Sequence, residues 1–268
     1  WTYVDQNNWT WDTWKDVLVQ LTRDFNGDGV IDQWGVASED MAGALIASNG
    51  AVCVDVTGEK PRLAMEDPKV LRALTFMTDL YNVYKVTIEQ NKLSAGRAFF
   101  EMPKGDLAMY PYGGAYGDWL VQNGMKWEQL GWVYMPKGPD TSDYGLLLAG
   151  GPSMTVVYSL AKDPAAIVQV MQDYICTWDS GENFGISPNT FYAKDIDRWM
   201  PPDARARQLY FEGGLKSFAI YHLHYNLHNL VLNPYYTQLI RQQTTVTGGM
   251  AAIVPKLQAQ IDSYNPVK

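Results

Sequence analysis

The sequence predicts an α/β protein. Three observations carry that reading. Strand-like segments alternate with amphipathic helical ones along the chain. With 268 residues, the chain exceeds a typical single domain, so two lobes or one large α/β unit are expected. A hydrophobic share of 47% supplies enough apolar side chain for a real core. No internal repeat or low-complexity tract interrupts the pattern.

The elements follow in order. Thr10 and Asp12 open a helix by cap and helix dipole, and Trp14, Val17, Leu18 and Leu21 recur at helical spacing. "GALIASNGAVCVD" reads as a helix, a turn at Asn49-Gly50 and a strand. Asp67-Pro68 opens a second long helix whose stripe is Val70, Leu71, Leu74, Met77, Tyr81 and Tyr84. A short helix, a strand at 107–110 and a glycine-rich turn into another helix follow. "LGWVYMPKGP" reads as a strand ending in a proline turn, and "GLLLAGGPSMTVVYS" as an extended pair broken by glycine and proline. Asp163-Pro164 opens a third helix, with Ile167, Val168, Met171, Tyr174, Ile175 and Trp178 on its expected buried side. From Pro201 the pattern is mostly helical, with breaks near Asn233-Pro234 and Gly248-Gly249.

Composition bounds the function. A net charge of −8 argues against a nucleic-acid surface, which needs clustered Lys and Arg. No apolar run is long enough to span a bilayer. The chain opens on Trp1 with no signal-peptide pattern, which reads as a mature or trimmed chain. Cys53 and Cys176 make no disulfide framework; they are two buried thiols or one bridge. Ten Trp and 17 Tyr exceed what a core needs and suit a site that stacks flat apolar faces, such as those of sugar rings.

"DFNGDGVIDQWG", residues 24–35, places oxygen side chains at alternate positions around a glycine turn. Read as an EF-hand-like loop, it sets Asp24, Asn26 and Asp28 at positions one, three and five, Gly29 at the sharp turn, the Val30 carbonyl at seven and Asp32 at nine. The bidentate glutamate of a sensor loop is missing, since Gly35 takes position twelve. Gln33, or Glu39 and Asp40 beyond, would complete the shell. The expectation is a structural Ca2+ that staples a helix-to-strand corner; an Asx-rich turn without metal is the other reading.

Searches for catalytic chemistry come out mostly empty. "GPSMT" lacks the glycine that a nucleophile elbow needs after its serine, and no phosphate loop is present. Glu101 and Asp106 are one carboxylate pair among many in an acidic chain. His222, His224 and His228 cluster without a neighbouring carboxylate or cysteine, so a pocket wall or solvated face is preferred to a metal site.

The order of "TWDTWKDVLVQLTRDFNGDGVIDQWGV", "DPKVLRALTFMTDLY", "AGRAFFEMPKGDLAMYPYGGAYGDWL", "LGWVYMPKGP" with its following segment, and "TTVTGGMAAIVPKLQAQI" resembles the extracellular solute-binding proteins of carbohydrate ABC transporters, the maltose-binding-protein-like class. The likeness covers nearly the whole chain. It implies a periplasmic-binding-protein-like α/β fold without the family's N-terminal part of the first lobe. Residues 1–152 and 202–268 would then form the C-terminal lobe, and 153–201 an excursion into the N-terminal lobe. It places Tyr112, Tyr116, Asp118 and Trp119, around the glycine turn, at an inter-lobe cleft, with Tyr225, Tyr235 and Tyr236 as further candidates. The implied protein is a monomeric non-enzyme, a cell-surface lipoprotein or periplasmic protein, that passes a carbohydrate to a membrane permease. A calcium-stabilised lyase or glycosidase is the alternative, and a purely structural domain a third.

Overall fold

A computed structural model describes residues 1–37, 40–55, 57–58, 62–89, 97–111, 116–144, 147–148, 161–175, 218–219 and 231–263. After a single turn, α1 (Thr2–Asp5), the chain enters α2 (Trp11–Leu21). Thr10 caps α2 as expected, in a reciprocal box: its hydroxyl accepts the Thr13 N–H, and the Thr13 hydroxyl accepts the Thr10 N–H at 2.9 Å. Trp11, Trp14 and Leu18 form the buried stripe of α2. The stripe packs on β1 (Trp34–Val36). Contact there is so close that a Cβ on Gly35 would lie 2.6 Å from the Leu18 carbonyl oxygen.

β1 pairs in parallel with β4 (Leu107–Met109), Trp34 opposite Leu107, and Val36 also bridges Thr87 in parallel. Parallel neighbours need crossover connections, and helices supply them. One is α3 (Met41–Ser48), which is apolar all round and buried at every residue. A hairpin of β2 (Val54–Asp55) and β3 (Arg62–Leu63) then leads to α4 (Pro68–Asn82), capped by Asp67 with proline in its first turn. Val70, Ala73, Leu74, Met77 and Leu80 face the core from α4. The expected stripe holds as far as Tyr81, which is half-buried and packs on the core cluster as Leu71 does. Leu80 joins it inside, and only Tyr84 departs, lying past the helix end, exposed beside the left-handed turn at Lys85.

Asn49, fully buried at the C-terminus of α3, ties three segments together. Its Nδ2 donates to the Lys69 carbonyl at 2.9 Å and to Asp140 Oδ2 at 2.8 Å, and its Oδ1 accepts the Asp140 N–H at 3.1 Å. Arg72 completes the clamp with Nε 3.1 Å from Asp140 Oδ2.

Three expectations need correction. "LGWVYMPKGP" forms no strand; it runs beside Trp9 and Trp11 and makes only one bridge, Thr10 to Lys137. Its polar groups serve the start of α2 instead: the Trp9 indole donates to the Tyr134 carbonyl at 2.8 Å, and Lys137 N–H donates to the Trp9 carbonyl. In α6 (Pro164–Ile175), Ile167 and Val168, expected inside, are 40% and 44% exposed. Helical spacing identifies a common face but not whether anything packs on it. Gly248-Gly249 does not break the chain; both glycines lie in the first turn of α8 (Val246–Ser263), where Thr245 Oγ1 accepts the Gly248 N–H at 3.0 Å. Gly249 is required there because a Cβ would collide with the Tyr235 ring.

β5 (Leu147–Leu148) pairs in parallel with β6 (Phe218–Ala219). α7 (Asn233–Ile240) and α8 then close onto α4, so that α2, α3, α4, α7 and α8 share one continuous apolar cluster. A smaller cluster of Ala37, Ala98 and Leu107, flanked by Trp34, Ile88, Met102 and Tyr110, lies under a 3-10 turn at Ala98–Lys104.

Candidate functional site

The aromatic site is built on β4, the 3-10 turn and α5 (Tyr116–Gln122). The turn ends at Gly105, whose φ of +86° suits a residue without Cβ, and Glu101 is held inside it by Lys104 Nζ at 2.7 Å. Phe99 is buried and Phe100 half-buried, with ring centroids 4.4 Å apart. Both rings meet the Trp119 indole at 4.8 Å, with interplanar angles of 87° and 80°. The Arg97 guanidinium lies 5.3 Å from the Phe99 centroid.

Trp119 is half-buried, and its Nε1–H has no partner among the described residues. The core tryptophans differ. Trp9 Nε1 donates to the Tyr134 carbonyl, Trp11 Nε1 to Ser48 Oγ at 3.1 Å and Trp14 Nε1 to Met109 Sδ at 3.4 Å. Asp118 accepts from Gln122 Nε2 at 2.7 Å, a solvent-side pair along α5. Tyr116 opens α5. Tyr112, Tyr225 and the three histidines lie outside the described residues. Tyr235 and Tyr236 are not pocket residues: at 2% and 7% exposure they are core, and Tyr235 spends its hydroxyl on the Val246 carbonyl at 2.7 Å. Burial raises both phenol pKa values. Sequence reasoning missed Phe99 and Phe100 as partners of Trp119. The adjacent "FF" was visible, but a contact across 19 positions was not.

The acidic loop is closed at its base by an antiparallel bridge between Arg23 and Gln33. Inside it, Asp24 accepts the N–H groups of Asn26, Gly27 and Gly29 at 3.2, 2.6 and 2.8 Å. Those bonds, that of Gly29 first, lower the Asp24 pKa. Asn26 Oδ1 accepts from Asp28 N, Asp28 Oδ1 from Val30 N, and Asp32 Oδ2 from Phe25 N. Phe25 and Val30 are exposed. Two candidate ligands have other partners. Gln33 turns back to α2, donating Nε2 to the Leu21 carbonyl at 2.7 Å, and Asp40 is the buried N-cap of α3. Glu39 lies outside the described residues. Among the described residues no group of three or more His, Cys, Asp or Glu is arranged to hold a metal ion.

No protein-family model matches the sequence, and no curated protein sequence does. Solved structures do match in shape. A maltose/maltodextrin-binding MalE domain from Bdellovibrio bacteriovorus bound to maltotriose shares 12% identity with a TM-score of 0.60, over 94% of this chain and 66% of that one. The fold is that of ABC solute-binding proteins. An ABC substrate-binding protein of Listeria monocytogenes in complex with cycloalternan gives 14% and 0.64 over 95% and 64%. Maltose-bound MalE3 of T. maritima gives 16% and 0.62 over 94% and 65%. The chain therefore spans about two thirds of the length of these solute-binding proteins. Among its described residues no helix is long and apolar enough to cross a membrane.

Proposed function

We propose that this chain belongs to an extracellular protein that captures a carbohydrate, an oligosaccharide in particular, and delivers it to the permease of an ABC importer. One observation carries the reading: nearly the whole chain shares the fold of proteins that hold maltotriose, cycloalternan and maltose. The half-buried Trp119, whose N–H has no partner among the described residues, supports a ligand site on α5. An indole offers a flat apolar face to a sugar ring and a donor to a hydroxyl. Tyr112, Tyr116, Asp118 and Tyr225 complete the proposed site. Residues 1–152 and 202–268 are assigned to one lobe and 153–201 to the other, with the cleft between them. Capture makes and breaks no bond. The protein is a monomer anchored as a lipoprotein or held in the periplasm.

Calcium is the finer part of the proposal. Asp24, Asn26, Asp28, the Val30 carbonyl and Asp32 are hard oxygen donors at alternating positions. Each ionised carboxylate has about four lone-pair sites, so the loop amides leave acceptor capacity for a cation. The ion would neutralise the carboxylates of Asp24, Asp28 and Asp32, which would have to draw together around it.

Calorimetric titration with maltotriose, followed by chromatography of the sugar, tests the function. Saturable binding that leaves chain length unchanged is expected. Shortened products would transfer the protein to the carbohydrate-active enzymes, and no binding would leave only a structural role. For the loop, added Ca2+ is expected to raise Tm, and Asp28→Ala to abolish the rise. A Tm indifferent to Ca2+ in the parent chain leaves a metal-free turn.

A further inference from the structure

Trp119 sits on a helix of seven residues, too short to hold its own shape in water. Its indole plane must therefore be set by tertiary contacts. The described contacts are the two phenyl rings of Phe99 and Phe100, each 4.8 Å away and nearly perpendicular to the indole. The two phenyls lie within 30° of each other, so they meet the indole as a pair in similar orientation. Edge-to-face contacts of this kind are directional, unlike plain apolar burial. A second link pins the pair, because the Arg97 guanidinium lies over Phe99. Phe99 is buried, its ring centroid 6.0 Å from that of Tyr110, whereas Phe100 is half-buried and nearer solvent.

We infer that Phe99 and Phe100 are positioning residues that lock the Trp119 indole in the orientation needed to stack a sugar ring. The inference rests on the reading of Trp119 as a ligand platform. A freely rotating indole would lose that freedom on binding and so weaken affinity. A pre-set indole has lost it already. Its Nε1–H then keeps a fixed direction toward a ligand hydroxyl.

The test uses the whole chain labelled with 5-fluorotryptophan, its Trp119 resonance assigned from Trp119→Phe, and maltotriose as the probe. In the parent, the Trp119 resonance is displaced by the phenyl rings and moves as maltotriose is added. Phe100→Leu keeps apolar volume but removes one ring. It is expected to shift the resonance toward its position in the unfolded chain and to weaken maltotriose binding by about threefold to tenfold. Tm should stay within a few degrees, and Phe100→Tyr should restore both signals. If the leucine variant does not fold, Phe100→Met is read in the same way, since a flexible thioether fills irregular gaps. Unchanged affinity, with a Trp119 resonance that still responds to sugar, overturns the positioning role and leaves the platform standing. A Trp119 resonance that ignores maltotriose while calorimetry detects binding removes the platform, and the inference with it. Absence of binding by both methods does the same.

Discussion

Cys53 is a free, buried thiol in the main apolar cluster. Burial, with a lesser push from the Asp40 charge, raises its pKa from 9.0 to about 12. In Cys176→Ser protein at pH 8, Cys53 should resist a disulfide reagent while the chain is native and react rapidly in guanidinium, measured by thiol release. The thiolate is favoured in the unfolded chain. Its contribution to stability is therefore full below pH 9 and declines as pH rises toward 12. Asp24 runs the other way. Its lowered pKa means that its bonds to loop amides hold above the ordinary carboxylate value and are lost as pH falls through the folded one. The Gly29 amide resonance should report that titration. Asn49→Ala would strip the clamp of two donated bonds and one accepted bond, leaving the half-buried Lys69 carbonyl without that donor. A loss of about 1–3 kcal/mol in denaturant unfolding is expected.

Elements were legible where the signal is local. Thr10, Asp67-Pro68 and Asn49-Gly50 punctuate the chain through their own backbone chemistry, and α2, α4 and the turn after α3 appear at those marks. The strand expected at "LGWVYMPKGP" failed because alternation gives a strand only if a neighbour offers a ladder. Here the neighbour is a helix N-terminus. At β1, Gly35 marks a close approach. Gly35→Ala should destabilise by about 1–3 kcal/mol, as overpacking does, because the atom it meets is backbone. At α6 the expectation reverses. Val168→Lys, on the face expected inside, should change unfolding free energy by no more than about 0.5 kcal/mol, since that side chain is 44% exposed. A loss of several kcal/mol would restore α6 to the core.

At the scale of the molecule, parallel pairing of β1 with β4 joins residues 34 and 107 and brings the 3-10 turn beside the start of α5. A ligand that binds only the folded chain stabilises it by mass action. Maltotriose at 100 times its Kd should therefore add about 2.7 kcal/mol to the unfolding free energy, read as a rise in Tm. A Tm unmoved at saturating sugar would contradict capture by this chain.

By itself the sequence determined the α/β class, the caps and turns, and the aromatic and acidic segments worth inspecting. These depend on residues within one helical turn or one loop of each other. Only the tertiary structure decided which aromatics are core and which reach solvent. Tyr235 and Tyr236 went inside because α7 and α8 fold back on α4, and Trp119 stayed half-open, its N–H without a partner among the described residues, while the N-terminal tryptophans found partners. Burial is a property of what the rest of the chain brings alongside, and helical or strand periodicity names a face without naming its neighbour.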